Sequence, residues 1–254
     1  MAGGHTHALY RHAEGPLHHI HPEVKLAATV LFVAAVVATP RRAFWAFGVH
    51  AAVLLAVAAM SRLPFSFVAR RLAIVLPFLA FALFLPFTGG GAQVHVLGLS
   101  LYRSGLWSAW NVVGKAVLGA TASIVLAATT QPSDLLKGLA RLRVPRVFTA
   151  VMGFMIRYLD VIVDEARRMK VALESRGLRP ARSARARAAA SLIGTLFVRS
   201  YERGERVHLA MQARGYTGAM PDLETATAPA SEWAVGILPV AVAAAAAALG
   251  WVLL

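Results

Sequence analysis

Residues 174–177 read Glu-Ser-Arg-Gly and residues 212–215 read Gln-Ala-Arg-Gly, thirty-eight positions apart. In each, a small residue (Ser175, Ala213), an arginine (Arg176, Arg214) and a glycine (Gly177, Gly215) close a long amphipathic segment. Glycine just past a helix end adopts the left-handed conformation that terminates the helix. A small residue before the arginine lets a neighbouring backbone come close. The guanidinium then stands at the helix tip with five donors in a planar fork, suited to a carboxylate or a ring of carbonyls in a partner's groove. A single copy would read as an ordinary C-cap, its cation complementing the helix dipole. Two copies point to two plugs for two similar sockets.

Two other groups could do chemistry. His5, His7, His12, His18, His19 and His21 crowd the first 21 residues, and neutral imidazole binds Co²⁺ and Ni²⁺. As metal ligands, His5, His7, His18, His19 and His21 compete with a simpler account, a flexible polar tail, which the composition favours. Asp160 and Asp164 are spaced i, i+4, beside Glu165, and could hold Mg²⁺ in an interfacial enzyme such as a lipid phosphotransferase. Against that, Arg157, Arg167 and Arg168 lie at comparable spacing and neutralise them. There is no second acidic cluster and no Gly-rich phosphate loop. The expectation is therefore no catalytic residue and no cofactor.

The elements that position the arginines are set by a membrane composition. Hydrophobic residues make up 58% of the 254, against about 45–50% in soluble domains. With no cysteine, disulfides, thiolate metal sites and cysteine nucleophiles are excluded. Apolar runs cover about 24–39, 43–60, 72–87, 105–129 and 233–254. The third contains Pro77 and Pro86. A crossing helix needs about 20 residues, so the first and third must extend into their flanks. The expected fold is all-α: a polytopic membrane protein with about five transmembrane helices and long cytoplasmic amphipathic helices. Residues 88–104 read as a Gly-rich connection. The division is a His-rich N-terminal segment (1–23), helices one to four (24–130), a cytoplasmic or interfacial coupling region (131–231) and a C-terminal span (232–254).

The net charge is +14, and seventeen of the 26 Lys and Arg fall between Lys137 and Arg214. Such an excess beside apolar spans is the positive-inside bias rather than a nucleic-acid footprint. It orients the N-terminus, 61–71 and 131–231 to the cytoplasm. Arg41-Arg42 alone opposes the pattern. Arg179, Arg182, Arg185 and Arg187 suit anionic lipid headgroups. Within 131–231, Ser133 or Asp134 is expected to cap a short helix ending near Arg143. Long helices are expected over 146–176 and about 184–214, with Asp164 reaching Arg168 and Glu165 reaching Met169 on the first of them. Between Val24 and Ser133 there is no carboxylate and only His50 and His95, too few ligands for a substrate metal. Lys115, inside the fourth run, reads as structural, snorkelling or meeting Asn111. The start, polar and His-rich, lacks the apolar core of a cleavable signal peptide.

Taken in order, several segments resemble the transmembrane T component of energy-coupling factor (ECF) importers of the cobalt type, the CbiQ family. They are residues 16–26 (Pro-Leu-His-His-Ile-His-Pro-Glu-Val-Lys-Leu), Arg71-Leu72, Leu76-Pro77-Phe78, Leu85-Pro86-Phe87 and 126–130 (Leu-Ala-Ala-Thr-Thr). They continue with 139–145 (Leu-Ala-Arg-Leu-Arg-Val-Pro), Arg157-Tyr158-Leu159, Asp164-Glu165 and both arginine motifs. The first of these reads Ser-Arg-Gly where the family commonly has Ala-Arg-Gly. The resemblance implies a scaffold rather than an enzyme. Two ATP-binding ABC subunits would each receive one tip, Arg176 or Arg214, of two crossing coupling helices. The spans would hold a separate substrate-binding membrane subunit, CbiM-like, possibly with a small CbiN-like subunit. The implied cargo is Co²⁺, then Ni²⁺, with a vitamin as the alternative. The implied place is the bacterial inner membrane with the N-terminus cytoplasmic.

Overall fold

A computed structural model describes Leu17 and residues 20–88, 93–96, 99–175, 182–218 and 227–253. The helices are α1 (Pro22–Ala38), α2 (Phe44–Met60), α3 (Phe65–Leu72), α4 (Leu76–Thr88), α5 (Arg103–Thr129), α6 (Pro132–Arg141), α7 (Arg146–Ser175), α8 (Arg182–Ala213) and α9 (Ala230–Val252). They fall into two compact units. One holds α1–α6 and α9, the other α7 and α8.

In the first unit, residues 66–87, α5 and α9 are long and apolar enough to cross a membrane, and α2 is apolar at 17 residues. The protein is an all-α membrane protein, with one addition. The connection after α4 carries a short antiparallel hairpin, β1 (Gln93–Val96) with β2 (Leu99–Tyr102), in the register Val94 to Leu101 and Val96 to Leu99. Alternation of Val94, Val96, Leu99 and Leu101 is its period-two signal. The third apolar run grows to 66–87 by taking in α3. A 3₁₀ turn, Ala73–Val75, joins α3 to α4. Pro77 is the cause: in a continuous α-helix its ring would press on the carbonyl of Ala73. That carbonyl instead accepts the N–H of Leu76.

The core of this unit is made by Phe32 and Val36 of α1, Phe47 and Leu54 of α2, Leu118 and Ala122 of α5, and Ala243 of α9. Small residues let helices approach closely, as membrane packing favours. Ala43, Ala46 and Ala246 bring α2 against α9. His50 is fully buried, its Nε2 3.2 Å from the Ala243 carbonyl and its ring edge-on to Phe32. Outward, Ile74, Phe78, Phe81, Leu83 and Phe84 are largely exposed apolar side chains.

The end of α1 shows why a lysine sits in a span. The last four carbonyls of a helix have no partner within it. Here each has a donor from elsewhere. The hydroxyl of Thr39 donates to Ala35 O at 2.9 Å and its backbone N–H to Val36 O at 3.3 Å. Lys115 Nζ of α5 donates to Val37 O at 2.6 Å, and Trp251 Nε1 of α9 to Ala38 O at 2.8 Å. Lys115 is thus structural, as expected, but its partner is α1 rather than Asn111. Lys115→Met should leave Val37 O without a donor in apolar surroundings, at a cost of about 1–3 kcal/mol. Thermal melting of the detergent-solubilised protein checks this, and transport per folded molecule should be unchanged.

α1 and α9 run parallel, since His21 meets Glu232 at their starts and Ala38 meets Trp251 at their ends. α6 packs on the start of α1. Its N-cap is Gln131, with Pro132 in the first turn and no side-chain cap bond, not Ser133 or Asp134. Asp134 instead reaches forward to Lys137, at 3.4 Å.

Candidate functional site

α7 and α8 are 30 and 32 residues long, about 45 and 48 Å at 1.5 Å per residue. An ion pair and an apolar groove join them. Glu165 of α7 accepts from Arg199 Nη1 of α8 at 2.5 Å and from Arg168 Nη2, one turn on, at 2.9 Å. From that pair an apolar groove of about 430 Å³ extends toward lower numbers on α7 and higher numbers on α8, so the helices run antiparallel. Phe154, Met155 and Tyr158 line one side, Val207, Met211 and Tyr216 the other. Phe154 and Tyr158 stack one turn apart, with ring centroids 6.4 Å from each other.

Glu165 was expected to face the apolar side and Asp164 to take Arg168. The structure reverses this, because Arg168 at i+3 and Arg199 from α8 converge on Glu165. The hydrogen bonds from Arg168 and then Arg199 hold the Glu165 carboxyl below its ordinary pKa. A depressed folded-state pKa adds stability above the unfolded pKa and loses it as pH falls through the folded value. The α7–α8 contact should therefore be intact at neutral pH. It should weaken on acidification through and below the ordinary carboxylate range. Glu165→Gln should flatten that part of a melting-temperature profile against pH. The effect should be small and salt-sensitive, because the pair is at the surface.

The end of α8 is closed in full. Ala213 is its last residue, Arg214 follows, and Gly215 has φ +84°. The N–H of Gly215 bonds to Gln212 O at 2.9 Å, and that of Tyr216 to Met211 O at 3.0 Å. This paired pattern is the Schellman closure, and Tyr216 and Met211 supply its usual apolar contact by lining the same groove. Only a residue without a β-carbon takes Gly215's conformation at no cost. Ala213, Arg214 and Gly215 are all exposed. A guanidinium therefore stands at a stiff tip, with its neighbours too small to screen it.

At the other tip the last described residue is Ser175, exposed, its hydroxyl bonded to Ala172 O at 3.0 Å. Arg176 and Gly177 lie outside the described residues, as do His5, His7, His18 and His19. His21 is described. Its Nδ1 is 2.9 Å from Glu232 Oε2, which also accepts the His21 backbone N–H at 2.8 Å. Asp160 and Asp164 are half-buried on α7. Among the described residues, no three His, Asp or Glu side chains come together as a metal site.

The sequence model of a cobalt transport protein family, CbiQ, matches residues 13–225, which include both arginine motifs. The chain belongs to the CbiQ family. As such it is the transmembrane component of an ECF-type transporter. Among its relatives is the energy-coupling factor transporter transmembrane protein EcfT of Bacillus selenitireducens, 29% identical over 82% of each chain. Another is the cobalt transport protein CbiQ of Rhodobacter capsulatus, 31% identical over 58% of this chain and 59% of its own. A third, from Methanocorpusculum labreanum, is described as a putative fused cobalt transport protein CbiMQ. It is 27% identical over 61% of this chain and 27% of its own.

Sequence reasoning missed a polar cluster at the start of α1. Glu23 is buried and pairs with Arg141 of α6, while Lys25 Nζ donates to Thr129 O at the end of α5, at 3.3 Å. Both residues lie in segments that carry the CbiQ resemblance. The sequence-level signal was a charged pair, Glu23 and Lys25, at the edge of an apolar run, with no partner visible nearby in sequence.

Proposed function

We propose that this CbiQ-family protein couples ATP hydrolysis in two partner ATP-binding subunits to uptake of a metal ion through a separate membrane subunit. Co²⁺ is the first choice of cargo and Ni²⁺ the next. The observation that carries the reading is Arg214, exposed on a helix tip closed by Gly215 and Tyr216. Arg176, flanked by Ser175 and Gly177, is its counterpart at the end of α7. Each guanidinium enters a groove on one ATP-binding subunit and is held by carboxylates or carbonyls there. Movement of those subunits shifts the tips. Helices of about 45 Å transmit the shift as rigid rods.

Residues 131–231 form the coupling region in this scheme, flanked by spans 24–130 and 232–254, with the His-rich 1–23 ahead of them. The protein sits in the bacterial inner membrane with its N-terminus cytoplasmic, since seventeen cations lie between Lys137 and Arg214. Arg179 and the side chains of Arg182 and Arg185 lie outside the described residues; with the exposed Arg187 they suit anionic headgroups in this scheme. The Rhodobacter relative's name supports cobalt, and the fused Methanocorpusculum relative supports a CbiM-like subunit as the neighbour. A vitamin is the second reading, because the Bacillus relative, matched over more of the chain, has a name that specifies no metal.

The test is reconstitution. The chain, a pair of ABC ATPases and a CbiM-like subunit are placed in liposomes, and uptake of radioactive cobalt is followed. Uptake that needs ATP and all components supports the proposal. Uptake without this chain, or ATP hydrolysis by this chain alone, would reject it. Ni²⁺ and a labelled vitamin, run in parallel with the matching subunit, decide the cargo.

A further inference from the structure

The chain runs into the α7–α8 segment through α6 and comes back through the residues before α9. Both connections end on one carboxylate. Glu23 Oε2 accepts from Arg141 Nη1, the last residue of α6, at 2.9 Å. Glu23 Oε1 accepts from the backbone N–H of Ala228, two residues before α9, also at 2.9 Å. Glu23 is only 4% exposed. A buried carboxylate is tolerable when it is paired and its lone pairs are filled, and here a cation and a backbone N–H do both. The connection beyond Arg141 is short and stiff: Arg143 has φ +63° and Pro145 immediately precedes α7. Lys25, on the same turn of α1, holds the end of α5, and His21 holds Glu232 of α9.

We infer that Glu23 is a positioning residue that pins both ends of the α7–α8 segment to the first turn of α1. One side chain thus joins two places 87 residues apart in the chain. A displacement that reaches Arg141 or Ala228 is delivered to α1 through this carboxylate. The consequence for transport rests on the coupling role proposed above. The tethering itself does not, and it can be measured separately.

The chain has no cysteine, so single nitroxide labels can be placed cleanly. Suitable exposed positions are Ala140→Cys on α6 and Thr227→Cys beside Ala228, with Leu55→Cys on α2 as the control. In the full transporter in liposomes, Glu23→Ala should raise label mobility at both 140 and 227 and leave 55 unchanged. Arg141→Met should raise it at 140 only, because the bond to Ala228 remains. Glu23→Gln keeps the volume but one acceptor oxygen, and should free at least one of the two positions even if the alanine variant folds poorly. Cobalt taken up per ATP hydrolysed should fall several-fold in Glu23→Ala, with ATPase subunits still bound. Unchanged mobility at 140 or 227 in Glu23→Ala overturns the tether, as does an equal rise at 55. Freed labels with an unchanged uptake-to-hydrolysis ratio overturn the positioning role and leave the Arg214 docking proposal standing.

Discussion

Arg214→Ala should cut ATP-dependent uptake to a small residue while the protein still inserts at normal abundance. Charge-assisted hydrogen bonds contribute about 1.5–3 kcal/mol each, so association with the ATP-binding partner should weaken by roughly ten- to hundred-fold at that tip. Arg176→Ala should do the same at the other tip, and the double variant should show no measurable transport. The side chain of Arg214 is exposed, so its removal disturbs no packing within the chain. That is what makes the experiment clean: stability and docking are separated. Arg214→Lys keeps the charge but not the planar fork, and should recover only part of the activity. Pull-down of the ATPases and cobalt uptake, measured on the same membranes, give both readouts. Full uptake in the double variant would remove the basis for the coupling proposal.

The second large effect is structural. Gly105, in the first turn of α5, faces the end of α4 so closely that a β-carbon would overlap Leu85 O and sit 2.7 Å from Pro86 Cα. Both obstacles are backbone, which cannot swing aside as a side chain would. Gly105→Val must therefore push α5 away from α4. Overpacking of this kind costs about 1–3 kcal/mol, and the value here should lie at the upper end. The expected result is a lower melting temperature in detergent and reduced abundance in the membrane. Gly48→Val is the control, since nothing lies within 4 Å of where its β-carbon would be. Equal stability of the two variants would contradict the close α4–α5 approach.

Much of this architecture was legible because membrane helices are written in apolar length. The runs at 43–60 and 105–129 became α2 and α5 almost unchanged, and Gly215 ended α8 as a left-handed glycine should. What was not legible depends on groups distant in sequence. No local pattern could tell that Arg199 would join Arg168 on Glu165, which reversed the assignment of Asp164. Glu23 had no assigned partner in the sequence, because Arg141 and Ala228 lie 118 and 205 residues away. The hairpin at 93–102 hid behind three consecutive glycines, which read as a loop and masked a short two-residue alternation. At the arginine tips, spacing and residue type located one helix end, closed at Gly215 with Arg214 exposed. The other falls where the described helix stops, at Ser175.

The capping of α1 also bears on how the molecule is made. Its last carbonyl, on Ala38, waits for the indole of Trp251, which is 213 residues further on. Ala38 is therefore synthesised 213 residues before that donor exists. Until then the Ala38 carbonyl lacks its donor from α9. Loss of the final turn of α9 should thus be felt at the end of α1, where the Ala38 carbonyl would lose its indole donor.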